Sequence, residues 1–324
     1  MISRVAESAF WMQRYVERAE ATARLLGAYE HGASASQPLY DRWQPLLIVT
    51  GELPRFQAAH GDAAVDDRDT VLRELTWSAD CPVSVWTSWY HARENARVIR
   101  ETLSEELWLV ANRTWLWIED PTTREAWERD PSDFYRAARE AGQLFVGAAE
   151  GTMLDDEPIR FMRLGLWLER VGQVARIIDM KHHEVGPTVH DKTEDVEAHA
   201  TWVRTLTACG AHENYFRRNR GTVRGYRVVR FLVFDPTSPR SILYGLKRAQ
   251  ALLEEQRKTT RHTPSAAESE LDMLVLWLEG LGWRGMVELG IHEAMTHIVD
   301  GVAEVCTRLY TDYFDPPLTI PQTT

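Results

Sequence analysis

Apolar residues recur along much of the chain at alternating steps of three and four, the spacing that lines one face of an α-helix. Val5, Ala9, Met12, Val16, Ala19, Ala23 and Leu26 form one such seam. Phe161, Leu164, Leu168, Val171, Ala175 and Ile178 form a second, and Val85, Trp89, Ala92, Ala96, Ile99 and Leu103 a third. Helix starts are expected at Ser3, at "CPVS" (81–84), at "DDEP" (155–158) and at "TSPRS" (237–241). In the last, Ser238 is the expected cap, with Pro239 in the first turn. The best strand-like run, "YRVVRFLVF" (226–234), has no hairpin partner and reads as buried helix. Loops are expected at 31–38, 59–69, 119–133 and 182–195. The last of these divides the chain into pseudo-halves, 1–181 and 196–316, of one fused domain spanning 1–324. The pattern predicts an all-α fold, a multi-helix bundle in which a helix bearing Glu-Arg is internally repeated.

That repeat is the most informative feature of the pattern. "YVERAEATARLL" (15–26) and "WLERVGQVARII" (167–178) share Glu-Arg followed by Ala-Arg at the same spacing. Placing Val16 and Ala23 on the seam puts Glu17 and Arg18 on the opposite side, with Arg14 and Arg24. That side also carries Phe10, Trp11 and Leu25, so both faces of the helix call for burial. The second copy behaves alike: Arg163, Glu169, Arg170 and Arg176 share their face with Met162, Leu166 and Ile177. One departure stands out, Val171-Gly172 where the first copy has Ala19-Glu20.

Buried charges are costly unless paired, and replacing a whole buried pair by apolar residues is often neutral. Stability alone therefore gives no reason for two copies. Three readings stay open: pairs that fix helix register, pairs that converge on a polar ligand cavity, and ordinary surface ion pairs. In the cavity reading, arginines hold an anionic group, and glutamates hold an amine or take a proton. A further charged cluster, "HARENARVIR" (91–100), sets Arg93, Glu94 and Arg97 at helical spacings beside aromatic residues. Glu106 continues the third seam, which makes it either the mark of a helix break or a buried carboxyl.

Composition narrows the class of protein. Hydrophobic residues make up 44% and charged residues 26%, as in a folded globular chain. The net charge of −11 argues against nucleic acid as a partner, while leaving room for a local cationic pocket. Only Lys181, Lys192, Lys247 and Lys258 are lysines, so the positive charge is nearly all arginine, which suits paired, hydrogen-bonded sites. Cys81, Cys209 and Cys306 form no CxxC and imply neither a disulfide framework nor structural zinc, in keeping with a cytoplasmic location. The amino terminus does not read as a signal peptide, and no run approaches the ~20 apolar residues of a membrane span.

Metal is not expected. In "GIHEAMTH" (290–297) the second histidine comes one residue too late for His292 and His297 to share a helical face as zinc ligands. His182 and His183 fall at an expected helix end. "LDDEP" is similar to an acidic diphosphate-binding cluster but lacks the one-turn spacing, and no Walker loop, GxGxxG or GxSxG is present.

Five stretches carry a family resemblance: "ISRVAESAFWMQRYVERAEATARLL", "ARENARVIRETLSEELW", "GTMLDDEPIRFMRLGLWLERVGQVARIID", "VVRFLVFDPTSPRSI" and "ELGIHEAMTHIVDGVAEVCTRLYTDYF". Together they resemble the bacterial alpha-E family, named for its helices and its Glu-Arg motifs, from about residue 2 to about residue 315. The resemblance implies an all-helical protein associated with circularly permuted ATP-grasp proteins and transglutaminase-like proteases. ATP-grasp proteins join a carboxylate to an amine through an acyl phosphate. Carried over by position, the family's motifs fall on Glu17-Arg18, on Glu169-Arg170 and on Arg93 to Arg97. No cofactor is expected in this chain, since ATP and magnesium belong to a separate partner ligase.

The expectation is a helical protein of a peptide- or amide-forming pathway that binds an amino-acid-like or peptide substrate. Glu17 and Glu169 are the candidate catalytic residues. Arg14, Arg18, Arg93, Glu94, Arg97, Arg163 and Arg170 are the candidate substrate-binding residues. The rivals are a non-catalytic scaffold that docks the ligase and a metal-dependent helical oxidase.

Overall fold

The structure, a computed structural model, describes residues 3–33, 43–185, 196–221, 223–260 and 263–315. These residues form fifteen α-helices and no strand. They are α1 (Ser3–Ala33), α2 (Gln44–Thr50), α3 (Leu53–His60), α4 (Arg68–Trp77) and α5 (Val85–Val98). Next come α6 (Glu105–Glu119), α7 (Pro121–Arg129), α8 (Pro131–Thr152), α9 (Glu157–Val185) and α10 (Val196–Ala208). The last five are α11 (His212–Arg218), α12 (Gly225–Phe234), α13 (Ile242–Thr260), α14 (Ala266–Leu289) and α15 (Ile291–Leu309). The run 226–234 is helical, as its lack of a pairing partner implied.

Local chemistry explains the helix starts. Ser84, Ser104 and Ser265 each accept a hydrogen bond from the backbone N–H three residues on, at 3.0, 3.2 and 3.1 Å, and so cap α5, α6 and α14. The expected loop at 119–133 is instead α7 and the start of α8. Each of these helices is opened by an aspartate cap followed by proline, Asp120-Pro121 and Asp130-Pro131. The cap of α13 is Ser241, which accepts from the Tyr244 N–H at 3.2 Å, rather than Ser238. Glu106 is an exposed residue in the first turn of α6, not a buried carboxyl.

α1 and α9 lie side by side at the centre and run in the same direction. Near their amino ends Phe10 lies against Gly165, and near their carboxyl ends Lys181 donates to the Tyr29 hydroxyl at 3.0 Å. A Cβ at Gly165 would stand 2.4 Å from the Phe10 carbonyl oxygen, so only glycine lets the two backbones approach this closely. The seam residues Ala9, Val16, Ala19, Ala23, Leu168, Val171 and Ala175 are all at most 1% exposed.

The remaining helices repeat one arrangement around these two. α1 packs on α5 and α8, with α6 bridging them; α9 packs on α13 and α15, with α14 bridging them. α4 leans on α5 as α12 leans on α13, and α2 packs on α9 as α10 packs on α1. Each set therefore lends a short helix to the other's long one. The turns before α5 and α13 match as well: Ser84 donates to the Ser78 carbonyl, and Ser241 donates to the Asp235 carbonyl. The arrangement begins again at Glu157. The expected dividing segment, 182–195, falls after this restart, and its residues 186–195 lie outside the described residues.

Two glycines test the central crossing. Gly165→Ala is expected to destabilise by about 1–3 kcal/mol, because a methyl group is forced into backbone. Gly147→Ala in α8 meets nothing within 4 Å and is expected to stabilise by about 0.5–1 kcal/mol. Urea midpoints of the two variants check both signs.

Candidate functional site

The two Glu-Arg motifs face each other across the α1–α9 contact and exchange partners. Arg170 grips Glu17 through Nε and Nη2, at 2.6 and 2.9 Å from the two carboxylate oxygens. Arg18 grips Glu169 in the same way, at 2.7 and 3.1 Å. Such two-point guanidinium–carboxylate bonds fix direction as well as distance. An aromatic ring two residues before each glutamate supports the arginine: Arg18 lies 5.4 Å from the Tyr15 ring centre, and Arg170 lies 5.0 Å from that of Trp167.

Each carboxylate also takes a second guanidinium, and here the copies differ. Arg14 reaches Glu169 from α1, with Nε at 2.8 Å, while Gln173 donates to the other oxygen at 3.2 Å. The residue matching Arg14 in α9 is Leu166. Glu17 instead receives Arg240, from the turn before α13, at 3.1 Å. Arg170 also reaches that turn, donating to the Pro239 carbonyl at 3.4 Å. Glu20 pairs with Arg24 and lies 3.5 Å from Arg240. Arg24, which shares a helix side with Glu17, is paired with Glu20.

Glu17 and Glu169 are each only 3% exposed. Burial alone would raise the Glu169 pKa, but the Arg18 and Arg14 charges outweigh it and hold the carboxyl well below the usual carboxylate range. Burial opposes the charge on Arg14 and Arg18 in the same way, and Glu169 more than restores it, so both titrate above ordinary arginine. The Glu20 carboxyl is likewise held low by Arg240 and Arg24 against the effect of burial. Glu169, read from sequence as a general base, is therefore a fixed anion with both oxygens engaged. Glu17 is occupied on both oxygens in the same manner. Both glutamates anchor arginines through both carboxylate oxygens, and the depressed pKa of Glu169 makes it a poor proton acceptor.

Around the exchange, six guanidinium groups (Arg14, Arg18, Arg24, Arg170, Arg176, Arg240) meet three carboxylates (Glu17, Glu20, Glu169). Beside Glu169 a cavity of about 180 Å³ opens, walled by Arg14, Gly172, Arg176 and, from α15, Val302 and Cys306. Arg14 donates to the Cys306 sulfur at 3.2 Å. Burial raises the Cys306 thiol pKa, so it remains a neutral wall.

Of the expected substrate-binding residues, Arg14, Arg18 and Arg170 belong to this network and the others do not. Arg93, Glu94 and Arg97 pair among themselves on the outer face of α5, where Arg93 also reaches Asn112 of α6. Arg163 is held by Glu150 and Asp155 at the α8–α9 turn. Arg176, Arg240 and Cys306 were not among the candidates. Arg240 and Cys306 lie within stretches that carry the family resemblance, but far in sequence from the Glu-Arg helices that they join. His292 binds Asp179 at 2.7 Å while His297 lies against Trp277, so the two histidines serve different partners. Among the described residues no cluster of three metal-ligating side chains occurs, and no helix is long and apolar enough to cross a membrane.

The Glu-Arg motif on which the exchange is built is also the mark of a known family. The family described as a predicted alpha-helical domain with a conserved ER motif, Alpha-E, matches residues 1–314. The chain belongs to the Alpha-E family. Uncharacterised proteins of Mycobacterium bovis and of two Mycobacterium tuberculosis strains are each 28% identical to this Alpha-E chain over 271 residues. The match takes in 78% of the chain and 30% of each relative, so the chain spans less than a third of their length. No solved structure matches it.

Removing one member of the Alpha-E network leaves its partners uncompensated in the interior. Glu169→Ala is expected to cost about 3–5 kcal/mol in chemical denaturation. Because the folded carboxyl titrates below its ordinary 4.5, its contribution is complete at neutral pH and declines as pH falls below about 5. Stability measured from pH 6 to pH 3 should fall less steeply in Glu169→Gln than in wild type. Parallel curves would contradict the assignment.

Proposed function

We propose that this Alpha-E chain is the binding component of an amide-forming system, acting beside an ATP-grasp ligase on an amino-acid-like or peptide substrate. In this reading ATP and magnesium stay on the ligase. The chain presents the substrate by its anionic end, and the arginines of the α1–α9 core do the holding. What supports this is the surplus of positive charge: near Glu169, Arg14, Arg18 and Arg176 face a single carboxylate beside an open cavity. Arg14 and Arg18 are spent on Glu169, whereas Arg176, exposed to solvent beside the cavity, is left for an anion arriving from outside. The relatives lend support from another side, since their matched stretch is 30% of a much longer polypeptide, as suits a component that serves neighbouring domains. The transglutaminase-like proteins associated with the family would act on the same peptide class. The three cysteines are free, which suits the cytoplasm, where such a ligase finds its ATP.

Glu17 and Glu169 act here by positioning arginines rather than by moving protons. Calorimetric titration of amino acids, dipeptides and acyl phosphates into wild type and Glu169→Gln tests this. Binding to wild type that weakens at least tenfold in the variant is expected; equal binding by two folded proteins would remove the core from the function.

A scaffold role has its own supporting feature. Residues 214–253 hold nine arginines and lysines against one acid, Asp235, in a chain of net charge −11. Arg217 and Arg218 line a surface groove of about 610 Å³ there. This face suits an acidic surface on a protein partner. Under the scaffold reading, Arg217→Glu with Arg220→Glu abolishes co-purification with the ligase while substitutions at Glu17 and Glu169 leave it intact. Under the binding reading, substrate affinity responds to the core variants instead.

A further inference from the structure

The two copies of the Glu-Arg helix differ at one position in a way that leaves a chemical vacancy. In α1, Glu20 lies three residues after Glu17 and pairs with Arg24, seven residues after Glu17. In α9 the residue three after Glu169 is Gly172, and the arginine seven after Glu169 is Arg176. The arginine is retained and its carboxylate is gone. Arg176 has no hydrogen-bond or ion-pair partner among the described residues. Gly172 and Arg176 both line the 180 Å³ cavity.

Packing does not demand this glycine. Gly172 is in mid-helix, where glycine costs about 1 kcal/mol relative to alanine. A Cβ there would meet nothing nearer than the Arg176 guanidinium at 3.4 Å, in contrast to Gly165, which backbone contact requires. In α1 the room for Glu20 is made by Gly142 of α8, where a Cβ would stand 2.9 Å from the Glu20 Cβ. The protein thus fills the site from its own chain in one copy and leaves it open in the other.

Charge points the same way. Arg176 is exposed, and desolvation by the protein beside it, with Arg18 and Arg14, outweighs the opposing Glu169 and draws its pKa below that of ordinary arginine. An anion entering the cavity relieves this crowding of cations. Water takes up roughly 30 Å³ per molecule in the liquid, so the cavity admits a small acid or the end of a side chain and not a folded segment.

We propose that the cavity beside Gly172 binds the carboxylate of a small acid, of the reach of a glutamate side chain, in the position that Glu20 fills in the other copy. Arg176 and Arg14 hold the carboxylate, and Val302 and Cys306 close the wall behind it. This rests on the binding reading above and narrows its substrate to a carboxylate-terminated group. The group is either a free amino acid or diacid, or the acidic end of a short peptide.

Titrations with glutarate, L-glutamate and a dipeptide ending in glutamate, with inorganic phosphate as the contrasting anion, test the site by calorimetry. Wild type should bind one equivalent of a carboxylate and prefer it to phosphate, and the dipeptide arm separates the two sources. Gly172→Glu supplies the missing carboxylate from the chain and should abolish binding while raising the melting temperature. Arg176→Gln, which breaks no existing pair, should keep the fold and weaken binding at least tenfold. Wild-type binding that survives both variants, or phosphate bound more tightly than every carboxylate, would overturn the site. Binding that survives both variants but is lost in Glu169→Gln would leave the general reading standing and remove only this cavity. Carboxylate binding that obeys both variants, in a protein that does nothing for a ligase, would remove the general reading and keep the site.

Discussion

Two arginines and two glutamates, exchanged between a pair of parallel helices, set the conditions that the rest of this Alpha-E chain satisfies. A carboxylate 3% exposed is tolerable only if donors meet both its oxygens, and Glu17 and Glu169 each find them on the opposite helix. The two grips fix the rotation and the register of α1 against α9. Gly165 permits the approach, Tyr15 and Trp167 orient the guanidinium groups, and the surrounding helices seal the charges from water. A hydrophobic seam of alanine, valine and leucine would tolerate sliding by a turn; a crossed pair of bidentate ion pairs does not.

The near-symmetry of the core gives its departures meaning. Arg14 has Leu166 as its counterpart, and Arg240 stands in the turn where the first set of helices has Val83. Each carboxylate therefore receives its second guanidinium from a different source. The largest departure is the exchange of Glu20 for Gly172, which turns a closed ion pair into an open cationic cavity. One copy of the duplicated core thus carries its own carboxylate beside the arginine, and the other leaves that place to a cavity.

Much of the fold was legible in sequence because it is written in local chemistry. The three apolar seams, the serine before α5 and the absence of a partner for 226–234 each depend on residues within a few turns. The region 119–133 resembles a loop by its density of charge and proline, while Asp-Pro placed twice, ten residues apart, opens two helices in succession. The burial of the Glu-Arg pairs was legible from the apolar residues sharing their face. Their crossed pairing was not, since each partner lies about 150 residues away. Arg93 and Arg97 stand out in sequence by their helical spacing beside aromatic residues and by the family motif, and Arg163 by its face of the second Glu-Arg helix; in the structure each pairs with acids close by in sequence. The substitution of glycine for glutamate was visible in the aligned motifs, but only coordinates show that a cavity and an unpartnered arginine accompany it.

The crossed exchange itself is measured most directly by a double-mutant cycle on Glu17 and Arg170, with Glu17→Gln, Arg170→Gln and the double variant compared in urea denaturation. If the two side chains meet across the α1–α9 contact, the effects are non-additive, with a coupling of about 1–3 kcal/mol that vanishes when either partner is absent. Effects that add within about 0.3–0.5 kcal/mol would mean that the two residues do not touch, and the paired core would not exist as described.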